Sequence, residues 1–237
     1  GGAIEIRDQA APSFTGCTFK NNWVERNDEE ASGGAIYISN PNSKPDLENT
    51  INFKQCKFIG NYAKGKNSTH GGAVFANRNT LFENCLFVKN SAIGGLGQPS
   101  GTWENARGGA IYSGGGWGDT GVITVVANCT FDSNYVEVLT SEGSPAGSDI
   151  FYGYNSNNQT MRAYVFNTVI TGSYHLLGGA PAYTNTNEKQ YRIFYTEHTD
   201  NRLFVDYSAI EGSADQSWAD DHVFDIIPVY TDRSNGD

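Results

Sequence analysis

Apolar and polar positions along the chain recur as a nine-residue unit, apolar-x-x-Cys-x-Phe-x-x-Asn. Its copies are Phe14/Cys17/Phe19/Asn22, Phe53/Cys56/Phe58/Asn61, Phe82/Cys85/Phe87/Asn90 and Val126/Cys129/Phe131/Asn134, decaying to Val165/Thr168/Ile170/Ser173 and Val205/Ser208/Ile210/Ser213. A second unit, Gly-Gly-Ala-(Ile/Val)-aromatic, interleaves with it at Gly33 to Tyr37, Gly71 to Phe75 and Gly108 to Tyr112, with a truncated copy at Gly1 and a worn one at Gly147 to Phe151. Successive residues at the cysteine position are 39, 29, 44, 39 and 40 apart, the period of a solenoid. Short apolar runs between Gly/Asn clusters, such as Gly34 to Ile38 and Gly121 to Val126, read as strands, and helical periodicity is nowhere sustained.

Strands that return at one register without helical crossovers predict an all-β fold, a single-stranded parallel β-helix of about six coils. Neighbouring coils then lie about 4.8 Å apart and equivalent residues form straight files. One interior file is small (Cys17, Cys56, Cys85, Cys129, Thr168, Ser208) and one bulky (Phe19, Phe58, Phe87, Phe131, Ile170, Ile210). Asn22, Asn61, Asn90 and Asn134 mark a bend where amides bond from coil to coil. The paired glycines open the next strand, where a corner needs positive φ or leaves no room for a Cβ.

The repeat runs through all 237 residues without a composition break, which predicts one elongated domain over 1–237. The start inside a Gly-Gly-Ala block and the stop at Asn235-Gly236-Asp237 lead us to expect a piece of a longer chain, cut at both ends. A net charge of -10 argues against nucleic acid or an anionic membrane as partner. No apolar run approaches the ~20 residues of a spanning helix, so direct membrane insertion by this region is not expected.

The Gly-Gly-Ala-Ile and Phe-x-x-Asn motifs resemble the repeats of polymorphic outer-membrane proteins and related bacterial surface proteins. The segments Tyr207 to Gly212, Asp225 to Tyr230 and Asn235 to Asp237 resemble the final coils of secreted β-helix proteins. The resemblance implies a right-handed, pectate-lyase-like β-helix and export to the cell surface. It implies little about activity, because one solenoid scaffold hosts adhesins, lyases, hydrolases and spacers. No pattern of the family's C-terminal barrel occurs in these residues, so its anchoring mechanism is not carried over.

Four cysteines in an exported protein ordinarily suggest two disulfides. Stacked neighbours, however, point their side chains the same way and rarely meet the disulfide torsion, and Thr168 and Ser208 fill the slot in later coils. Buried, reduced thiols are therefore expected. The four histidines (70, 175, 198, 222) sit at unrelated repeat positions and match no zinc spacing.

On the Gly-Gly-Ala strand, Ile4, Ile36, Val74, Ile111, Ile150 and Ile193 share one face. Glu5, Tyr37, Phe75, Tyr112, Phe151 and Phe194 share the other. The companion file two residues earlier, Ala3, Ala35, Ala73, Ala110, Asp149 and Arg192, ends in charges, which argues that this face points outward. The aromatics then either form a stripe that stacks on a linear glycan or lie buried under long loops. The loops expected before the strand are 23–32, 91–107 and 174–190, and those after it 39–49, 113–121 and 155–160. Trp103 and Trp117 bracket one Gly-Gly-Ala strand within such loops. The candidate ligand-binding residues are Trp103, Tyr112, Trp117, Tyr37 and Phe75.

Catalysis would need paired acids or calcium-bound Asp on neighbouring coils. Asp149 with Arg192, and Asp215, Asp220, Asp221 and Asp225, are the candidates, and they read more simply as a surface ion pair and solvated acids; structural calcium near Asp220 and Asp221 is the one cofactor considered. The reading is an exported, non-catalytic surface module, an adhesin or stalk that contacts a glycan, a surface protein or flanking domains of its own chain. The alternative is a polysaccharide lyase or glycoside hydrolase on the same fold.

Overall fold

The structure, a computed structural model, describes residues 1–8, 10–39, 49–96, 105–114, 122–141, 143–153, 162–181, 194–196, 203–213 and 221–225. They form five sheets that the chain visits in the same order on each of its first four turns. Sheet A contains Ile4–Ile6, Ile36–Ile38, Val74–Ala76, Ile111–Ser113, Ile150–Tyr152 and Phe194–Thr196. Sheet B contains Ser13–Thr15, Ile51–Lys54, Thr80–Glu83, Ile123–Ala127, Arg162–Phe166 and Leu203–Asp206. Sheet C contains Thr18–Lys20, Lys57–Ile59, Leu86–Val88, Thr130–Asp132, Val169–Thr171, Ser208–Ile210 and Val223–Phe224. Sheet D contains Trp23–Arg26, Tyr62–Gly65, Ser91–Gly94, Tyr135–Val138 and Tyr174–Leu177, and Ala180–Pro181 folds back antiparallel on the last of these. Sheet E contains Ala31–Ser32, Ser68–His70, Asn105–Arg107 and Ser144–Ala146. Sheets A, B, C and E are parallel throughout, and no helix occurs among the described residues, so the fold is a parallel β-helix.

Sheets A, B and C enclose the main core. Phe14, Phe53 and Phe82 stack at 5.0 and 5.1 Å along sheet B, and Phe19, Phe58, Phe87 and Phe131 at 5.0, 4.7 and 4.6 Å along sheet C. The two columns meet edge to face, as at Phe53–Phe58 (5.7 Å, 73°) and Phe82–Phe87 (5.4 Å, 76°), the arrangement that phenyl quadrupoles favour. The small file runs beside them as expected. The Cys85 amide approaches Cys129 Sγ at 3.4 Å, the Cys129 amide approaches Thr168 Oγ1 at 3.5 Å, and the Thr168 amide donates to Ser208 Oγ at 3.2 Å.

All four cysteines are free thiols. Cys56, Cys85 and Cys129 are buried, whereas Cys17 is only half-buried, because its coil has a neighbour on one side alone in this structure. Burial pushes the Cys56 thiol up to about 11. The Cys129 thiol is raised as well, first by its hydrogen bond with Cys85 and then by burial.

Corners are sharp because single residues adopt positive φ at fixed places. Gly16, Gln55, Asn84, Asn128, Asn167 and Tyr207 do so immediately before the small file, and Gly33, Gly71, Gly108 and Gly147 before sheet A. Gly72 needs its missing side chain for a second reason: a Cβ there would collide with the Gly109 carbonyl of the next coil.

Between these corners runs the asparagine ladder. Oδ1 of Asn61 accepts from both the backbone amide and Nδ2 of Asn22, at 3.0 Å each. Asn90 serves Asn61 in the same way at 3.1 and 2.9 Å, and Asn134 serves Asn90 at 2.9 Å twice. The second Nδ2 hydrogen of Asn61, Asn90 and Asn134 goes to the carbonyl of Phe19, Phe58 and Phe87 respectively. Asn61, Asn90 and Asn134 are fully buried, and every hydrogen of their amides is bonded.

Three expectations need correction. The segments read as loops before the Gly-Gly corner are in large part strands: sheets D and E form a thin arch beside the main core, closed on Ala92, Ala106, Val136 and Val138. Its strands escaped notice because they run two to four residues and bury small side chains. Next, Ala35, Ala73, Ala110 and Asp149 are buried rather than outward-facing. The cause is a break in alternation: the Ala35 and Ile36 amides both donate to the Ala73 carbonyl, and the same pinch recurs at Ala73 and Val74 and at Ala110 and Ile111. Finally, the last strand of sheet A is one residue out of the expected register, with Ile150 opposite Phe194 and Phe151 opposite Tyr195.

The Phe columns give a direct stability test. Phe87→Ala should cost roughly 3–5 kcal/mol, since it opens a cavity between two ring neighbours, whereas Leu86→Ala, on the outer face of the same strand, should cost less than about 1.5 kcal/mol. Equal losses in denaturant unfolding would contradict the column model.

Candidate functional site

The outward file of sheet A is a ladder of register partners, Glu5, Tyr37, Phe75, Tyr112 and Phe151. Its rings lie at 4.9, 5.1 and 5.0 Å with planes 8°, 7° and 4° from parallel. Each interior ring therefore spends both faces on its neighbours. Tyr37 alone has an aromatic neighbour on one side and a non-aromatic one, Glu5, on the other.

Among the described residues, cover over this ladder comes from a strand of sheet E. The outer file of sheet E, Ser32, His70, Arg107 and Ala146, runs alongside. The His70 ring lies 4.6 Å from Tyr112 and 6.2 Å from Phe75, the Arg107 guanidinium sits 4.8 Å over the Phe151 ring, and Ala146 packs with Tyr112 and Phe151. Tyr112 and Phe151 are buried as a result, and the Tyr112 hydroxyl donates to the Gly153 carbonyl at 3.3 Å. Tyr37 and Phe75 remain half-buried. The stripe thus has a closed end and a half-open end.

Electrostatics differ between the two ends. At the open end Glu5 pairs with Arg7 at 2.8 Å, and the hydrogen bond from Arg7 holds the Glu5 carboxyl below its usual range. Burial raises the Tyr37 phenol, and the Glu5 carboxylate adds to the effect. At the closed end burial lowers His70 to about 3, with the Arg107 charge contributing, so His70 is neutral at neutral pH.

Of the five candidate residues, Tyr37, Phe75 and Tyr112 stand in one ladder, with Tyr112 enclosed; Trp103 and Trp117 lie outside the described residues. Asp149 is buried and accepts from Asn134 Nδ2 at 2.9 Å, and Arg192 lies outside the described residues. The same holds for Asp215 and Asp220, whereas Asp225 Oδ1 accepts the Gly212 amide at 2.8 Å. Among the described residues no three His, Cys, Asp or Glu side chains converge in a way that could hold a metal. His70 and Arg107 escaped the sequence reading, although both immediately precede a Gly-Gly pair, a fixed offset that marks the end of sheet E.

Residues 16–39 match the family model described as the Chlamydia polymorphic membrane protein repeat. That span runs from the positive-φ corner at Gly16 through Cys17, Phe19 and Asn22 to the end of the next sheet A strand, the sheet C, D, E and A part of one turn of the solenoid. The segment resembles a polymorphic membrane protein repeat. Its motif residues recur at Cys56, Phe58, Asn61 and Gly71 to Phe75 and again in later turns, so the repeat that carries the resemblance also builds the β-helix. No curated protein and no solved structure matches the chain.

His70 yields a pH test with a definite sign. Its folded pKa lies below the ordinary value of 6.5, so the unfolded chain binds the extra proton between about pH 6.5 and pH 3. The neutral, half-buried ring is compatible with full stability above pH 6.5, and stability should fall as pH drops through that window. In His70→Gln the melting temperature should depend less steeply on pH between 6.5 and 4 than in the parent. Identical slopes would contradict a neutral His70 packed against Tyr112.

Proposed function

We propose that the chain is an exported, non-catalytic module of a bacterial surface protein, an adhesin or stalk that binds a glycan or a surface protein through sheet A and its flanking loops. The observation that carries this reading is the polymorphic membrane protein repeat at residues 16–39, a repeat type associated with the bacterial outer surface, on a scaffold whose side chains are largely committed to stacking. The half-open end of the ladder supports a binding role. There a planar group could lie against Tyr37, within reach of the Glu5 carboxylate and the Arg7 guanidinium, while Phe75 extends the apolar floor. Asp149, the acid of the Asp149/Arg192 candidate pair, is engaged with the asparagine ladder, which favours binding over lyase or hydrolase chemistry.

Retention of the chain on an array of bacterial and host glycans and on host cells tests the reading, together with an assay for unsaturated or reducing-end products from polysaccharides. Saturable retention without product is expected, and Tyr37→Ala combined with Phe75→Ala should weaken it by about 1–2 kcal/mol. Product release would replace the module reading with the enzyme. Unchanged binding by the folded double variant would move the site off sheet A.

A further inference from the structure

A second aromatic column runs along the outside of sheet D, and it has a rung missing. Trp23, Tyr62, Ser91, Tyr135 and Tyr174 are successive register partners, each directly following the asparagine-ladder position. Alternation with the buried Ala63, Ala92 and Val136 turns their side chains outward. Trp23 stacks on Tyr62 with centroids 6.0 Å apart and planes 9° from parallel, and Tyr135 stacks on Tyr174 at 4.9 Å and 4°. Between the two pairs stands a serine.

In the ladder of sheet A every interior ring is stacked on both faces. Here Tyr62 and Tyr135 each stack on one side only, and by register their other sides flank the Ser91 rung. Their strands are two rungs apart, about 9.6 Å, and complete columns in this molecule keep rings at 4.6–5.1 Å. One planar group between the tyrosines would restore the regular spacing on both sides. Ser91 is only 4% exposed while its neighbours Tyr62 and Tyr135 are half-buried, which places the serine below the level of the rings rather than on an open face.

The rim of the cleft is polar and of both signs. One alternation further along the strands, Ile93 lies level with the serine between Lys64 and Glu137, and the Lys64 ammonium leans away toward Glu25 at 3.7 Å. A pyranose ring suits this combination: its C–H faces are apolar and its equator carries hydroxyls that both donate and accept. An aromatic side chain would fill the gap equally well but offer nothing to Lys64, Glu137 and the Ser91 hydroxyl.

We propose that the cleft between Tyr62 and Tyr135, floored by Ser91, binds one neutral pyranose unit of a glycan, sandwiched between the two phenol faces. This rests on the glycan arm of the function proposed above and adds to sheet A a second glycan contact on sheet D, away from Tyr37 and Phe75.

The test uses the whole chain and the methyl pyranosides of glucose, galactose, mannose and N-acetylglucosamine, followed by saturation-transfer NMR and titration. At least one should bind, with ring C–H signals shifted upfield by the flanking rings. Ser91→Tyr inserts the missing rung and should weaken binding at least tenfold without lowering the melting temperature; Tyr62→Ala, which removes one wall from the outer surface, should weaken it at least fivefold. Absence of binding by all four sugars, or equal binding by the folded Ser91→Tyr and Tyr62→Ala variants, would overturn the proposal. So would a cleft that takes 4-methylphenol but none of the sugars, since the partner would then be an aromatic side chain. Array retention that survives Ser91→Tyr but is lost with Tyr37→Ala and Phe75→Ala would end the cleft and leave the sheet A reading standing.

Discussion

The buried carboxamide column is the constraint from which the coil geometry follows. A fully interior amide is tolerable only when both hydrogens and the oxygen are bonded, and Asn61, Asn90 and Asn134 meet that condition only if each coil sits directly above the last. A slip of one residue would put the phenyl column outside and strand the amides at once. Register is thereby fixed at one corner, and the Phe, Cys and Ile files inherit it. The column ends where its residue type ends: beyond Asn134 the position becomes Ser173, and the last Nδ2 hydrogen turns to the carboxylate of Asp149 instead. An acid that looks catalytic in isolation closes a structural ladder.

The same stacking rule governs what the surface can do. In a solenoid, identical rings on neighbouring coils lie face to face, so a long aromatic file offers edges rather than faces to solvent. Faces are available at a file's end, as at Tyr37, or at a gap, as at Ser91. Sites for planar ligands on such a scaffold are therefore marked by interruptions of the repeat, not by its regularity.

Much of this was legible beforehand. The nine-residue unit names the sheet B and C columns and the amide ladder, because each of those positions admits few residue types. Sheets D and E were not legible as strands: Ala31, Thr69 and Ala106 meet Ala63, Ala92 and Val136 across a narrow arch where small size, rather than apolar alternation, is what packing demands. The outward direction assigned to Ala35 and Asp149 failed because a shared carbonyl at the Gly-Gly corner inserts an extra inward residue, which strict period-two reasoning cannot anticipate. The register of Phe194 against Ile150 failed for a related reason, since Ile193, Phe194 and Tyr195 make adjacent frames nearly equivalent in pattern. For the candidate site, the ladder Tyr37–Phe75–Tyr112 was legible, but its cover by His70 and Arg107 depended on a sheet that had not been seen.

Hydrogen exchange of the side-chain carboxamides tests the account most directly. The Nδ2 protons of Asn61, Asn90 and Asn134 should be protected to the degree of the core backbone amides, while those of Asn84 and Asn128, exposed at the positive-φ corners, should exchange at rates near those of free amides. Interior carboxamides that exchange as fast as the corner ones would contradict the ladder, and with it the registered stack of coils.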